Sequence, residues 1–226
     1  MSNDICDSNN PDCKQTRFLL LLLSLLALMI LEPFIYDYTR LKFLLDIFFT
    51  VIFFTCIYAV SEKKTGALIA VLLAVPKLAT TWSFNFFRHP LLALLDPIFG
   101  IIFIGYIIVL VLRHIFRQKD VTLETIYGAI VAYILIGILW IYLYQLTEFI
   151  HPDSFSVSQA LADDARKSLY HFSFVTLTTL GYGDITPVSG SARSLATLEA
   201  ITGQMYIAVL IARLVGIHIS QNLTKK

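Results

Sequence analysis

This chain carries little charge. Of 226 residues only 17 are Lys or Arg and 16 are Asp or Glu, 15 % together, while 57 % are hydrophobic, and no long polar tract interrupts them. So little charge excludes an ordinary soluble domain and implies an integral membrane protein, with the lipid bilayer as its surroundings. The net charge of +1 singles out no partner, and nucleic acid is not expected to be one. Cysteine is scarce too, at three. Cys6 and Cys13 sit in a polar amino-terminal tail without histidine neighbours, a weak metal set, and Cys56 lies inside an apolar run as a small packing residue. An enzyme has no nucleophile, base or metal set to rest on here, so neither catalysis nor a cofactor is expected.

What the chain does have is apolar length. A spanning helix needs about 20 mostly apolar residues, and six runs qualify, at 17–35, 41–60, 66–82, 90–112, 122–149 and 191–218. Six spans put both termini on one side. Lys14, Arg17, Lys63, Lys64, Arg113, Arg117, Lys119, Lys225 and Lys226 fall there, against Arg40, Lys42, Arg88, Arg166 and Lys167 on the other. The basic excess makes that side cytoplasmic in a cell membrane. The first run follows Asp4, Asp7 and Asp12 and no small-residue cleavage site comes after it, so it reads as a retained span, not a secretory signal. The chain then divides into a tail over 1–16, a four-helix peripheral bundle over 17–112, a cytoplasmic linker over 113–121, a two-span unit over 122–220 and a tail over 221–226. No nucleotide- or calcium-binding regulatory domain is expected after the last span.

The few charges inside the first four runs are Asp46, Lys77 and Asp96. They lie at similar depth, so Lys77 can pair with Asp46 or Asp96, either to hold the bundle together or to form a ligand or ion site. Pro76 and Pro97 are expected to kink their helices beside them. Between Leu91 and Leu112 the fourth run contains no Arg or Lys. A voltage sensor moves several charges through the field, each worth about 2.3 kcal/mol per 100 mV, so this is not a working sensor of the usual kind. Trp140, Tyr142, Tyr144 and Phe149 crowd the outer end of the fifth run and read as an interfacial aromatic belt, while Gly128 and Gly137 permit close helix contact. Asp163 and Asp164 belong to a polar connection outside the membrane that either concentrates cations or is simply solvated.

Between the last two runs stands Thr178-Thr179-Leu180-Gly181-Tyr182-Gly183-Asp184, preceded by a helix over 168–178 too short to cross. A bare potassium ion crossing a bilayer needs oxygens in place of its hydration shell, and backbone carbonyls from four copies of a short loop can supply them. Successive carbonyls can aim at one axis only if alternate residues adopt backbone conformations that disfavour a Cβ, so Gly181 and Gly183 are expected at positive φ. The ligands are then the carbonyls of Thr179, Leu180, Gly181 and Tyr182 with the Thr179 hydroxyl, while Gly183 completes the filter, the Tyr182 ring points away from the axis into the surrounding protein, and Asp184 sits at the outer end.

This stretch resembles the filter signature of the tetrameric potassium-channel family, and the resemblance extends through Phe172 to Leu177, Pro187, Arg193 and Gly203, covering roughly 122–220. It implies an all-α membrane protein with a re-entrant pore helix and filter loop between the fifth and sixth spans. It also implies a homotetramer and passive, potassium-selective conduction, with the permeant ion in place of any cofactor. Gly203 would be an inner-helix hinge, with Gln204, Ile207 and Ile211 facing the cavity. Glu199, one turn earlier, would either bond behind the filter or attract cations. Thr178, Asp184, His171 and Val175 would support the filter. Val175 stands where many relatives carry a carboxylic acid, and His171 where they often carry a tryptophan that donates to the filter aspartate. A hydrogen bond from His171 to Asp184 is therefore expected, and protonating the imidazole would strengthen it and alter how long the filter conducts. The alternatives are a poorly selective monovalent cation channel, although relatives of low selectivity usually depart from Gly-Tyr-Gly, and a potassium-transporter membrane subunit, although those resemble four concatenated repeats in one chain and this chain has one.

Overall fold

A computed structural model describes residues 11–36, 42–59, 64–87, 89–118, 120–157 and 165–224. Cys6, Arg40, Lys63, Arg88, Lys119, Asp163, Asp164, Lys225 and Lys226 lie outside the described residues. Seven helices form among them: α1 (Pro11–Tyr36), α2 (Lys42–Ala59), α3 (Lys64–Phe87), α4 (Pro90–Arg117), α5 (Leu123–Ile150), α6 (Ala165–Leu177) and α7 (Gly190–Thr224). Four described stretches, Thr65–Ser83, Pro90–Arg117, Leu123–Ile150 and Gly190–Ile217, are long and apolar enough to cross a membrane. Two shorter apolar stretches, Arg17–Leu31 and Ile47–Ala59, lie in α1 and α2. The chain is an α-helical membrane protein.

Helix ends follow local chemistry. His89 caps α4 by accepting from the Leu91 amide at 3.2 Å, with Pro90 in the first turn, where its missing N–H costs nothing. The Thr122 hydroxyl accepts from the Thr125 amide to start α5. In α1, Phe18, Leu21, Leu25 and Leu28 recur at three- and four-residue steps and are buried; in α4, Phe103, Ile107, Val111 and Ile115 recur at four-residue steps and are buried too. Both helices pack on α5 of the same chain. Apolar all round, α5 is the buried centre.

The intramembrane cation finds its partner here. Lys77 Nζ lies 2.5 Å from Asp96 Oδ1, both groups buried, and the hydroxyls of Thr80 and Thr81 approach the same oxygen at 3.2 and 2.8 Å. Nζ also stands 4.8 Å from the centre of the Tyr142 ring, so the pair joins α3 and α4 to α5. The Asp46 side chain lies outside what the structure describes.

Two boundaries and one exposure differ from what the sequence suggests. The linker expected over 113–121 is shorter, because α4 continues as helix through Arg117; basic residues end an apolar run without ending a helix. For the same reason α1 begins at Pro11 and takes in Cys13, which was assigned to the tail. The expected aromatic belt on α5 is mostly interior: Trp140, Tyr142 and Tyr144 are buried by neighbouring helices, and of the four only Phe149 is exposed.

Candidate functional site

The site is built from α6, the loop after it and α7. At the end of α6 the carbonyls that a helix leaves unpaired are taken up by the loop. The Thr178 amide donates to Phe174 O (3.1 Å), the Thr179 amide to Thr176 O (2.9 Å), and the Leu180 and Gly181 amides both donate to Val175 O (2.9 and 3.3 Å). The Thr178 hydroxyl adds a bond to Phe174 O at 2.7 Å. The contribution of Val175 to the loop is therefore its backbone carbonyl.

The loop alternates in handedness. Thr179, Gly181 and Gly183 stand at φ 58°, 60° and 77°, one residue in two. The glycines were expected there; Thr179 was not singled out, although the same alternation requires it. A β-branched residue in that region stores about 1–3 kcal/mol of strain. Thr179 is held by its amide bond and by Gln204 Nε2, which donates to its hydroxyl at 3.2 Å.

Beyond the loop, β1 (Phe155–Val157) and β2 (Ile185–Pro187) pair antiparallel, with Ser156 opposite Thr186. This ribbon, absent from the sequence reading because three-residue strands leave no periodicity, ties the loop's exit to the top of α5. There the Glu148 carboxylate accepts from the Asp153 and Ser154 amides at 2.9 and 3.0 Å.

His171 and Asp184 do meet, Nε2 to Oδ2 at 3.0 Å, and Asp184 Oδ1 accepts from the Ile185 amide at 3.1 Å. The His171 ring also stacks on Tyr182, centres 5.8 Å apart and planes 4° from parallel. Tyr182 was expected to point into surrounding protein. Within this chain it is 66 % exposed, and His171 is its stacking partner.

Behind α6, Glu199 is fully buried. The carboxyl is enclosed because α5, α6 and α7 meet at its level: Ser173 Oγ lies 2.6 Å from Oε1, and the Tyr144 hydroxyl bonds Oε2. Tyr144 in turn makes edge contacts with Phe155 and Phe172. Gly203 sits where α7 crosses the end of α6, and a Cβ there would collide with the Leu177 carbonyl. The helix runs unbroken through it, so its requirement in this structure is close backbone approach. Gln204, Ile207 and Ile211 are exposed.

Arg213 was passed over in the sequence. Its Nη2 donates to the carbonyls of Ile115, Phe116 and Gln118 at 3.2, 2.7 and 3.2 Å, and the guanidinium lies over the Phe116 ring. A cation within an apolar run was the signal, since such a charge needs a partner; here it is the carbonyl end of α4.

Exposure sets this site apart. Only 6 % of the apolar window of α7 is buried, against 67 % of that of α5, and residues 178–183 are all exposed. No curated protein and no solved structure matches the chain. Residues 155–218, which contain α6, the loop and most of α7, match the family model described as ion channel, and that match supports an ion-channel function for this membrane protein.

Proposed function

We propose that the chain is one subunit of a homotetrameric, potassium-selective channel, conducting passively through a filter lined by the carbonyls of Thr179, Leu180, Gly181 and Tyr182. The observation that carries this reading is the loop itself. Positive φ at every second residue, with the amides of Thr179, Leu180 and Gly181 bound to α6, leaves the loop's own carbonyls as its available oxygens. One loop cannot encircle an ion. The exposed loop and the apolar, unburied α7 are what four copies would place around a common axis, with Tyr182 covered by its neighbours and Gln204, Ile207 and Ile211 toward the cavity. The chain crosses the cell membrane six times with both termini cytoplasmic, α6 re-enters, and α4, whose Arg113 and Arg117 come only at its end, confers no strong voltage gating.

Purified protein in liposomes tests this directly. Potassium flux should exceed sodium flux, and Gly181→Ala, which puts a Cβ at φ 60°, should abolish the preference. A reversal potential that follows the sodium gradient in the parent protein would defeat the reading.

A further inference from the structure

Glu199 is the buried acid that the filter loop does not use. Its oxygens meet the Ser173 hydroxyl of α6 and the Tyr144 hydroxyl of α5, and among the described residues no basic side chain pairs with it. An isolated ionised carboxylate in such surroundings carries a heavy desolvation penalty.

Counting protons separates the two forms of the acid. Ser173 Oγ lies 2.6 Å from Glu199 Oε1 and also 2.9 Å from the Gly137 carbonyl of α5, and a serine hydroxyl has one proton to give. With Glu199 ionised, one of these two oxygen-to-oxygen contacts would hold no proton. With Glu199 protonated, three donors meet three acceptors: Tyr144 O–H to Oε2, Oε1–H to Ser173 Oγ, and Ser173 O–H to Gly137 O. Thr80 and Thr81 also have two acceptors each, but one is the preceding carbonyl of their own helix, which a helical hydroxyl meets by local geometry. At Ser173 the second acceptor belongs to another helix.

We propose that Glu199 is a positioning residue for ion selection, held as a neutral acid that links α7 through Ser173 to α6 and α5. The proposal rests on the channel reading above. Ser173 immediately precedes Phe174, Val175 and Thr176, whose carbonyls hold the loop amides, so the link governs where α6 presents those carbonyls. The neutral form does this without adding a fixed charge beside a cation path.

The test compares the full-length parent with Glu199→Gln, Glu199→Asp and Ser173→Ala in liposomes, reading potassium and sodium flux separately and recording infrared spectra of the same vesicles. Glutamine reproduces the neutral link, its amide donating to Ser173 and its carbonyl accepting from Tyr144. It should keep the potassium-to-sodium flux ratio within about twofold of the parent, whereas Glu199→Asp and Ser173→Ala, which break the link, should lower it about tenfold, the scale of a buried hydrogen bond left unmade. A general loss of stability would reduce total flux and leave the ratio unchanged. The parent spectrum should contain a protonated-carboxyl C=O band that Glu199→Gln removes. Equal damage from Gln and Asp, a preserved ratio in Asp with a lost one in Gln, or a spectrum in which Gln removes an ionised-carboxylate band each overturns the proposal. If the parent itself does not prefer potassium, the channel reading fails, and the infrared result still decides whether the neutral link exists.

Discussion

Asp96 and Glu199 are carboxyl groups of comparable burial, 4 % and 0 % exposed, in apolar helices of the same chain. Asp96 meets the Lys77 ammonium and two threonine hydroxyls, while Glu199 meets hydroxyls alone. Their surroundings differ in the same sense. Helices α1 to α4 pack in succession on one another, with α1 and α4 on α5, so a charge there can be cancelled by a neighbouring helix. The unit of α6, the loop and α7 is left open on the side of the loop, and its buried acid is satisfied by hydrogen bonds. A buried acid thus holds helices together in two ways, and removing a partner should separate them.

The largest effect is expected at the ion pair. Lys77→Met leaves Asp96 without its counter-charge, and breaking such a pair costs about 3–5 kcal/mol. Thermal unfolding in detergent should show a large loss for Lys77→Met and substantial recovery in the double variant Lys77→Met with Asp96→Leu. Glu199→Gln should cost less than about 1 kcal/mol, since no charge pair is lost. An equal loss in the two single variants would erase the distinction between the regions.

Glycine substitutions sharpen it further. An alanine at Gly203 must push α7 away from the Leu177 carbonyl, whereas Gly105 in α4 has open space around an added Cβ. Gly203→Ala should destabilise by about 1–3 kcal/mol through overpacking, and Gly105→Ala should stabilise by up to about 1 kcal/mol through helix propensity. The same unfolding measurement reads both.

Arg213 is the joint between the two regions. Arg213→Gln gives up charge-assisted bonds to the end of α4, worth about 1–2 kcal/mol in this half-buried setting. Single-channel recordings should show altered open probability with unchanged ion preference; an altered preference instead would place Arg213 in the filter's support. The smallest effect on stability belongs to His171→Phe, because an exposed pair contributes about 0–1 kcal/mol. Unfolding should be unmoved, and the change should appear in how long individual openings last. A shifted melting temperature with unchanged openings would assign His171 to packing.

Much of this molecule is local, and what is local was legible in the residues. Apolar length located the helices, and a Gly-x-Gly spacing located the positive φ angles at Gly181 and Gly183, because both depend on a few neighbours along the chain. The pairing of His171 with Asp184 was implied by the family resemblance, and the two side chains meet at 3.0 Å.

Other properties were decided only by how the helices rotate and cross. Depth alone allowed Lys77 either Asp46 or Asp96, and the packing of α3 on α4 puts Asp96 Oδ1 2.5 Å from its Nζ. Tyr142 and Tyr144 have the composition of an interfacial belt, yet the packing of α1, α4, α6 and α7 around α5 made them interior. Gly203 has the spacing of a hinge, and the crossing of α7 over the last carbonyl of α6 gave it a packing role. Glu199 could be read toward the cavity or away from it, because a carboxylate's place in the sequence carries no information about which helix face will be covered. That face is set by contacts among α5, α6 and α7 across 55 residues of chain, from Tyr144 to Glu199, a separation no local pattern spans.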